Sequence, residues 1–246
     1  MADGKWAKRL SKSALIFGIA APLVAMAGVT LARYDMIGKL AGFSGILAGA
    51  LIAVVAILTG AIALTLAFKN GGSKKAAFVG LLVALIYISF LGSRAAAGGD
   101  VPAIHDISTD LTNPPQFASL SLRSDNLAGV DTVENWRTIH SKGYPDLQSV
   151  TIAKPVAEVI ARAETIARKL GWEVAVADPV TGHFEATVSV SYIRFQDDVV
   201  LRVVPTEDGA ASIVDMRSVS RVGVSDLGVN AKRVRSFLDT LAKDSA

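Results

Sequence analysis

Three stretches of the chain, residues 13–32, 40–68 and 76–92, carry no charged side chain, and beyond them apolar and polar positions are interspersed. A helix needs about 17 apolar residues or more to cross the hydrocarbon core of a bilayer. The pattern therefore predicts three transmembrane helices over about 13–32, 40–68 and 76–92. Within the second, Gly45, Gly49 and Ala53 recur every four residues, a stripe that lets another helix backbone come close. Packing on the chain's own helices is the simpler use of it, and self-association or docking on a partner the other. No ionisable residue lies inside a span, which argues against a proton relay, ion pathway or transporter.

Beyond the spans the period changes. Residues 95–130, rich in Gly, Pro, Ser and Asp, read as an extended linker lying on the domain or on the membrane surface. A short helix is predicted over 131–141, with Asp131 or Thr132 as its cap and Trp136 and Ile139 facing inward. After a strand around Val150, Pro155 opens a longer helix whose Val156, Val159, Ile160, Ala163, Ile166, Ala167 and Leu170 share one face and which Gly171 ends. Three alternating runs come next, built on Trp172, Val174 and Val176, on Phe184 to Tyr192, and on Val199, Leu201 and Val203. Asp208-Gly209 supplies a hairpin turn into a fourth strand, 211–222, and a last helix presents Val234, Phe237, Leu238 and Leu241 on one side. The expected fold is a membrane-anchored α+β protein. Three transmembrane helices (1–94) and the linker (95–130) precede an antiparallel sheet with two helices packed on one face (131–246). The other face is expected to lie open to solvent, displaying Glu185, Thr187, Ser189, Ser191, Arg202, Asp215, Arg217 and Arg221.

Charge refines this picture. The mean hydropathy of +0.44 and the pI of about 9.2 are averages over two unlike halves. Residues 1–99 hold ten Lys or Arg and two acids, net +8; residues 100–246 hold fifteen and twenty, net −5, giving the chain's +3. The acidic half would repel a phosphate backbone, so nucleic acid is not an expected partner. Basic residues resist translocation. Lys5, Lys8, Arg9, Lys12, Lys69, Lys74 and Lys75 flank one side of the spans, against Arg33, Lys39 and Arg94 on the other. That bias puts the N-terminus in the cytoplasm and the C-terminal domain outside, which in a bacterium with two membranes means a multi-pass inner-membrane protein with a periplasmic domain. A cleavable signal ending at Ala25-Met-Ala27 is the alternative for the first run, and it leaves the domain on the same side.

The richest polar cluster surrounds the last strand and turn. Asp215, Arg217, Val219 and Arg221 emerge on one strand face about 7 Å apart. Arg217 and Arg221 could there cradle an anion or carboxylate, or the face could be solvated and laced with cross-strand ion pairs. Ser225, Asp226 or Asn230 can cap the last helix. Ser218 and Ser220 fall on the apolar face, where a helix or turn must press close. Catalytic sets are not evident. The absence of cysteine excludes thiolate chemistry and disulfides, His105, His140 and His183 lack metal-ligand spacing, and Asp197-Asp198 point to opposite faces of a strand or form a turn. No cofactor and no metal is expected.

The runs GWEVAVADPVTGHFEATVSVSYIRFQDDVVLRV and VDMRSVSRVGVSDLGVNAKRVRSFLDTL, with HDISTDLTNPPQF and YPDL upstream, resemble the domain-of-unknown-function family numbered 1499 over about residues 102–241. Its signature falls on Asp215, Arg217, Ser218, Ser220, Arg221, Gly223, Ser225, Asp226, Gly228 and Asn230. A cysteine-containing segment of many members has no counterpart here. The resemblance implies a domain boundary and a signature, and no reaction. The expected role is binding, scaffolding or assembly for another membrane or envelope component, with the lipid bilayer as the first partner. The alternatives are a periplasmic hydrolase or anionic-ligand enzyme using Arg217 and Arg221, and a lipid-handling protein. For the binding reading, the candidate residues are Asp215, Arg217, Arg221, Asp226 and Asn230.

Overall fold

In the computed structural model, which describes residues 2–70, 74–97, 99 and 101–243, the chain forms two compact units. Residues 1, 71–73, 98, 100 and 244–246, which fall within the expected anchor, linker and domain, lie outside the described residues.

The first unit is a bundle of α1 (Ala2–Arg33), α2 (Lys39–Asn70) and α3 (Lys75–Ala97). All three are long and apolar enough to cross a membrane, over Lys5–Arg33, Lys39–Asn70 and Lys75–Ala96. Small residues line the contact. In α1 they are Ala7, Ser11, Ala14, Ala21, Ala25 and Ala32, and in α2 Gly42, Gly49, Ala53, Ala56, Gly60, Ala63 and Ala67, all buried and stepping mostly by three, four or seven along each helix. That is the seven-residue period of a coiled-coil seam, not the four-residue period suggested by Gly45, Gly49 and Ala53. The stripe packs on the chain's own helices. A methyl group added at Gly49 would lie 2.5 Å from the Ala21 carbonyl oxygen, and one at Gly80 only 2.2 Å from that of Ala14. Large side chains such as Leu23, Leu51, Leu58, Phe78 and Ile86 point outward. The hydroxyl groups of Ser11, Ser44, Thr59 and Thr65 donate to carbonyls of the preceding turn, and Tyr87 Oη donates across to Ile46 O at 2.9 Å. Such internal pairing is what a hydrocarbon solvent demands of polar groups.

The second unit is a six-stranded antiparallel sheet with helices on one face. Its elements are β1 (Asp106–Ser108), α4 (Val133–Gly143), β2 (Val150–Ile152), α5 (Val156–Lys169), β3 (Glu173–Asp178), β4 (His183–Val190), β5 (Phe195–Pro205), β6 (Ser212–Ser220) and α6 (Val229–Ala242). The order is β1-β6-β5-β4-β3, with β2 joining β1 along the same edge of β6. Alternation decides the inner face: Phe184, Ala186, Val199, Leu201, Val203, Val214 and Met216 meet Val159, Ile160 and Ala163 of α5 and Val234, Phe237, Leu238 and Leu241 of α6. Trp172 stacks on Phe237 with ring centroids 4.8 Å apart.

Several local expectations shift. Leu170 is exposed because α5 ends at Lys169 and the chain turns away at Gly171, whose φ of +76° suits glycine. Strand β4 stops at Val190, so Ser191 and Tyr192 lie beyond it. Asp197 and Asp198 do point to opposite faces, but from within β5 and not from a turn. The segment read as a linker contributes β1 and then runs across the sheet's outer face.

Candidate functional site

Asp215, Arg217 and Val219 of β6 share the outer face with Asp198, Val200 and Arg202 of β5 and with His183, Glu185 and Thr187 of β4. Alternation alone leads one to expect a solvated face. Instead Glu185, Thr187, Asp198, Asp215 and Arg217 are all buried, because residues 109–126 form a roof over them. The roof has no ladder to satisfy its backbone, and buried N–H and C=O groups need partners. The sheet's polar side chains supply them. Arg202 donates to Asn113 O at 2.9 Å and Arg217 to Pro115 O at 3.2 Å. The Glu185 carboxylate accepts the backbone N–H groups of Ala118, Ser119 and Leu120, and His183 Nε2 lies 2.7 Å from its Oε1. Burial pushes the Glu185 carboxyl up, but the N–H groups of Ala118, Leu120 and Ser119 and the His183 ring outweigh it and hold it below the usual carboxylate range.

Each signature arginine already holds a carboxylate. Arg217 clasps Asp106 of β1 with both prongs, Nε to Oδ1 at 2.9 Å and Nη2 to Oδ2 at 2.6 Å. Arg221 clasps Asp198 in the same way, at 2.8 Å through both Nε and Nη2, and also reaches Gln196 and Thr187. Asp215 accepts from Arg202 at 2.8 Å and from the hydroxyl groups of Thr109 and Ser149. Arg202 also bridges to Asp110 of the roof at 2.8 Å. Bidentate fork-to-carboxylate geometry explains why arginine occupies these positions.

Asp226 and Asn230 sit elsewhere. Asp226 accepts the backbone N–H groups of Gly228 (2.9 Å) and Asn230 (2.5 Å), so it caps the start of α6. Asn230, expected as a possible cap, turns into the helix face of the sheet. There its Oδ1 accepts from Ser218 at 2.7 Å, and its Nδ2 donates to Ser220 Oγ at 2.9 Å and to His105 O at 2.8 Å. This accounts for the two serines on the apolar face. Arg233 of α6 completes the cluster by pairing with Asp197 at 2.6 Å. The five candidates therefore do not converge. Asp215, Arg217 and Arg221 share a face but hold separate partners, while Asp226 caps α6 and Asn230 binds it to β6. The partners Asp106, Asp110, Asp198 and Glu185 are not among the residues that sequence reasoning assigns to binding; the signal available is a surplus of aspartates in HDISTDLTN facing an arginine-bearing strand.

A second interlock fixes β1 from its far side. Trp136, His140 and Tyr144 succeed each other by four residues on α4 and its C-terminal cap, with centroids 5.6 Å apart at each step. Trp136 Nε1 donates to Asp106 O at 2.9 Å, and His140 Nε2 accepts from Ser108 N at 3.1 Å. His140 is thus a neutral ring whose Nε2 is an acceptor. Burial pushes its pKa down to about 4, and burial, then Arg123, lowers that of His105. In the unfolded chain a histidine titrates near 6.5. Below that pH the unfolded state binds the proton that the folded state refuses, so stability is complete above about 6.5 and falls as the pH drops toward about 4. His140 alone is expected to account for about 3 kcal/mol of that loss. Melting curves between pH 7 and 4 test this: a His140→Gln variant should show a shallower fall across that window than the parent chain.

Two grooves accompany these clusters. One is lined by Phe117, Leu122, Arg123, Asp198 and Arg221. The other adjoins His105, Asn126, Trp136 and Val224. Neither has room for more than about one water molecule. Among the described residues, no group of three or more His, Asp or Glu side chains is placed to hold a metal ion.

The sequence model of a family described as "Protein of unknown function (DUF1499)" matches residues 106–241. No curated protein matches the chain.

Proposed function

The chain belongs to the DUF1499 family over its roofed α+β unit, and we propose that it is a membrane-anchored binding or scaffolding module acting on another membrane or envelope component. The observation that carries this reading is that the signature side chains are already engaged inside the domain. Arg217 and Arg221 each grip a buried carboxylate, Arg217 also donates to Pro115 O of the roof, and Asn230 joins α6 to Ser218 of β6, so the signature ties roof, sheet and last helix together. A rigid surface tethered by three apolar helices suits recognition of a partner confined to the same membrane. The excess of basic flanks on one side of the spans supports a cytoplasmic N-terminus and a periplasmic domain at an inner membrane. The competing enzymatic reading asks Arg217 and Arg221 to orient an anion, and both guanidinium groups already hold carboxylates.

Two measurements on the full chain test the proposal. A phosphatase reporter that folds only outside the cytosol, fused after Ala246, should be active; silence would reverse the orientation. A photo-crosslinking side chain at exposed Leu122, beside Arg221, should capture one recurrent polypeptide in intact membranes. Capture of no polypeptide from Leu122 or from the exposed Val180 in the β3–β4 turn would count against a scaffolding role.

A further inference from the structure

The loop between β6 and α6 places apolar side chains where a soluble domain would place polar ones. Val224, Leu227 and Val229 are all exposed, Leu227 at 66 %. Leu227 also has a φ of +54°, a left-handed conformation that a leucine adopts only under constraint. The constraint is visible on both sides of it. Asp226 N donates to Ile104 O, and the Asp226 carboxylate accepts from Gly228 N and Asn230 N. The polar atoms of the loop are thus fastened inward while Leu227 is held outward, so its exposure is built in.

Val101 belongs to the same patch: it is exposed, and its Cγ1 lies 3.2 Å from where a methyl group on Gly228 would be. It is also four residues along the chain from Ala97, where α3 ends. Four residues reach at most about 14 Å. The apolar run of α3 gives way at Arg94, so if α3 crosses a bilayer Ala97 lies at headgroup depth. The chain itself then keeps Val101, and so the near edge of this patch, within about 14 Å of the headgroup layer, whichever side of the membrane the domain faces.

We propose that Val101, Val224, Leu227 and Val229 form a membrane-docking surface that seats the domain in the bilayer interface. Aliphatic side chains on a rigid loop gain by leaving water for the headgroup–acyl boundary. The Asp226 carboxylate, fastened inward, keeps its charge away from that boundary. The proposal rests on α3 spanning the membrane, not on the domain's having a partner protein.

The chain has no cysteine, so single cysteines at Leu227, Val229, Val180 and Leu51 can each carry an environment-sensitive fluorophore. The full chain is reconstituted in vesicles of phosphatidylethanolamine and phosphatidylglycerol in which a fraction of the lipids carry a nitroxide quencher near the headgroup. Probes at 227 and 229 are expected to be quenched severalfold more than the probe at Val180, which is 90 % exposed. The probe at Leu51, on the outward face of α2, should be quenched when the nitroxide is moved to the acyl-chain end. Quenching at 51 with values at 227 and 229 equal to 180 overturns the docking surface and leaves the spans standing. Failure at 51 overturns the spans and the inference with them. Burial of 227 in native membranes but not in lipid-only vesicles assigns the patch to a protein and likewise overturns the proposal.

Discussion

Replacing Arg217 by methionine is expected to destabilise the α+β unit by about 3–5 kcal/mol, the cost of leaving one member of a buried ion pair without its partner. Arg217 and Asp106 are 6 % and 3 % exposed and share two parallel hydrogen bonds of 2.9 and 2.6 Å. Methionine fills much of the arginine's volume, so the loss is electrostatic: Asp106 stays buried with its charge uncompensated, and Pro115 O loses a donor. The double variant Arg217→Met/Asp106→Leu should recover most of the loss, since removing both charges also removes the cost of desolvating them. Unfolding of the full chain, monitored through the stacked Trp172, is the measurement. A single variant that costs less than about 1 kcal/mol would mean that water reaches the pair.

Glu185→Gln is the second large effect, expected at about 3 kcal/mol from three backbone donors that lose a charged acceptor. The glutamine side chain fits the space but can offer its carbonyl oxygen to only part of the set formed by Ala118, Ser119 and Leu120, and its amide N–H₂ opposes the rest. The pH dependence separates this group from His140. The folded-state pKa of Glu185 lies below its ordinary 4.5. Its contribution is therefore present above about 4.5 and is lost as the pH falls through the lower folded value. The histidine step runs from about 6.5 to about 4, so the parent chain should lose stability in two stages on acidification. Glu185→Gln should reduce the lower stage, which Asp110 and Asp146, also held below the usual carboxylate range, share, and His140→Gln should reduce the upper one.

The three apolar helices and the sheet are legible in the sequence because each rests on a periodicity that solvent or lipid imposes. Phe184, Ala186 and Val188 alternate with Glu185 and Thr187 for a reason that holds wherever one face is buried in a core. What alternation does not reveal is whether the polar face meets water or the backbone of another segment, since both select the same residue types. Glu185 and Arg217, expected in solvent, lie instead under a roof. The roof is hard to read because TDLTNPPQFASLSLRSDN has no sustained period; its order comes from side-chain partners distant in sequence. For Asp215, Arg217 and Arg221 the shared face is legible, whereas their partners require the fold. The seam of α1 escapes sequence reading for another reason: Ala and Gly are frequent throughout that run, and only the burial of Ala7, Ala14 and Ala21 singles out the interface.

The fastening of β1 by Trp136 and His140 also limits how the sheet can grow. On that margin the outward-directed backbone groups of Asp106 and Ser108 already have side-chain partners from α4, so a foreign strand finds no template there. The opposite margin is β3, where the pairing with β4 slips between Val174 and Val176. Such an irregularity bends a rim away from the flat geometry that strand addition requires. Extension into a larger sheet, whether by a client peptide or by self-polymerisation, is disfavoured at β1 and at β3, and recognition there falls to side chains and loops.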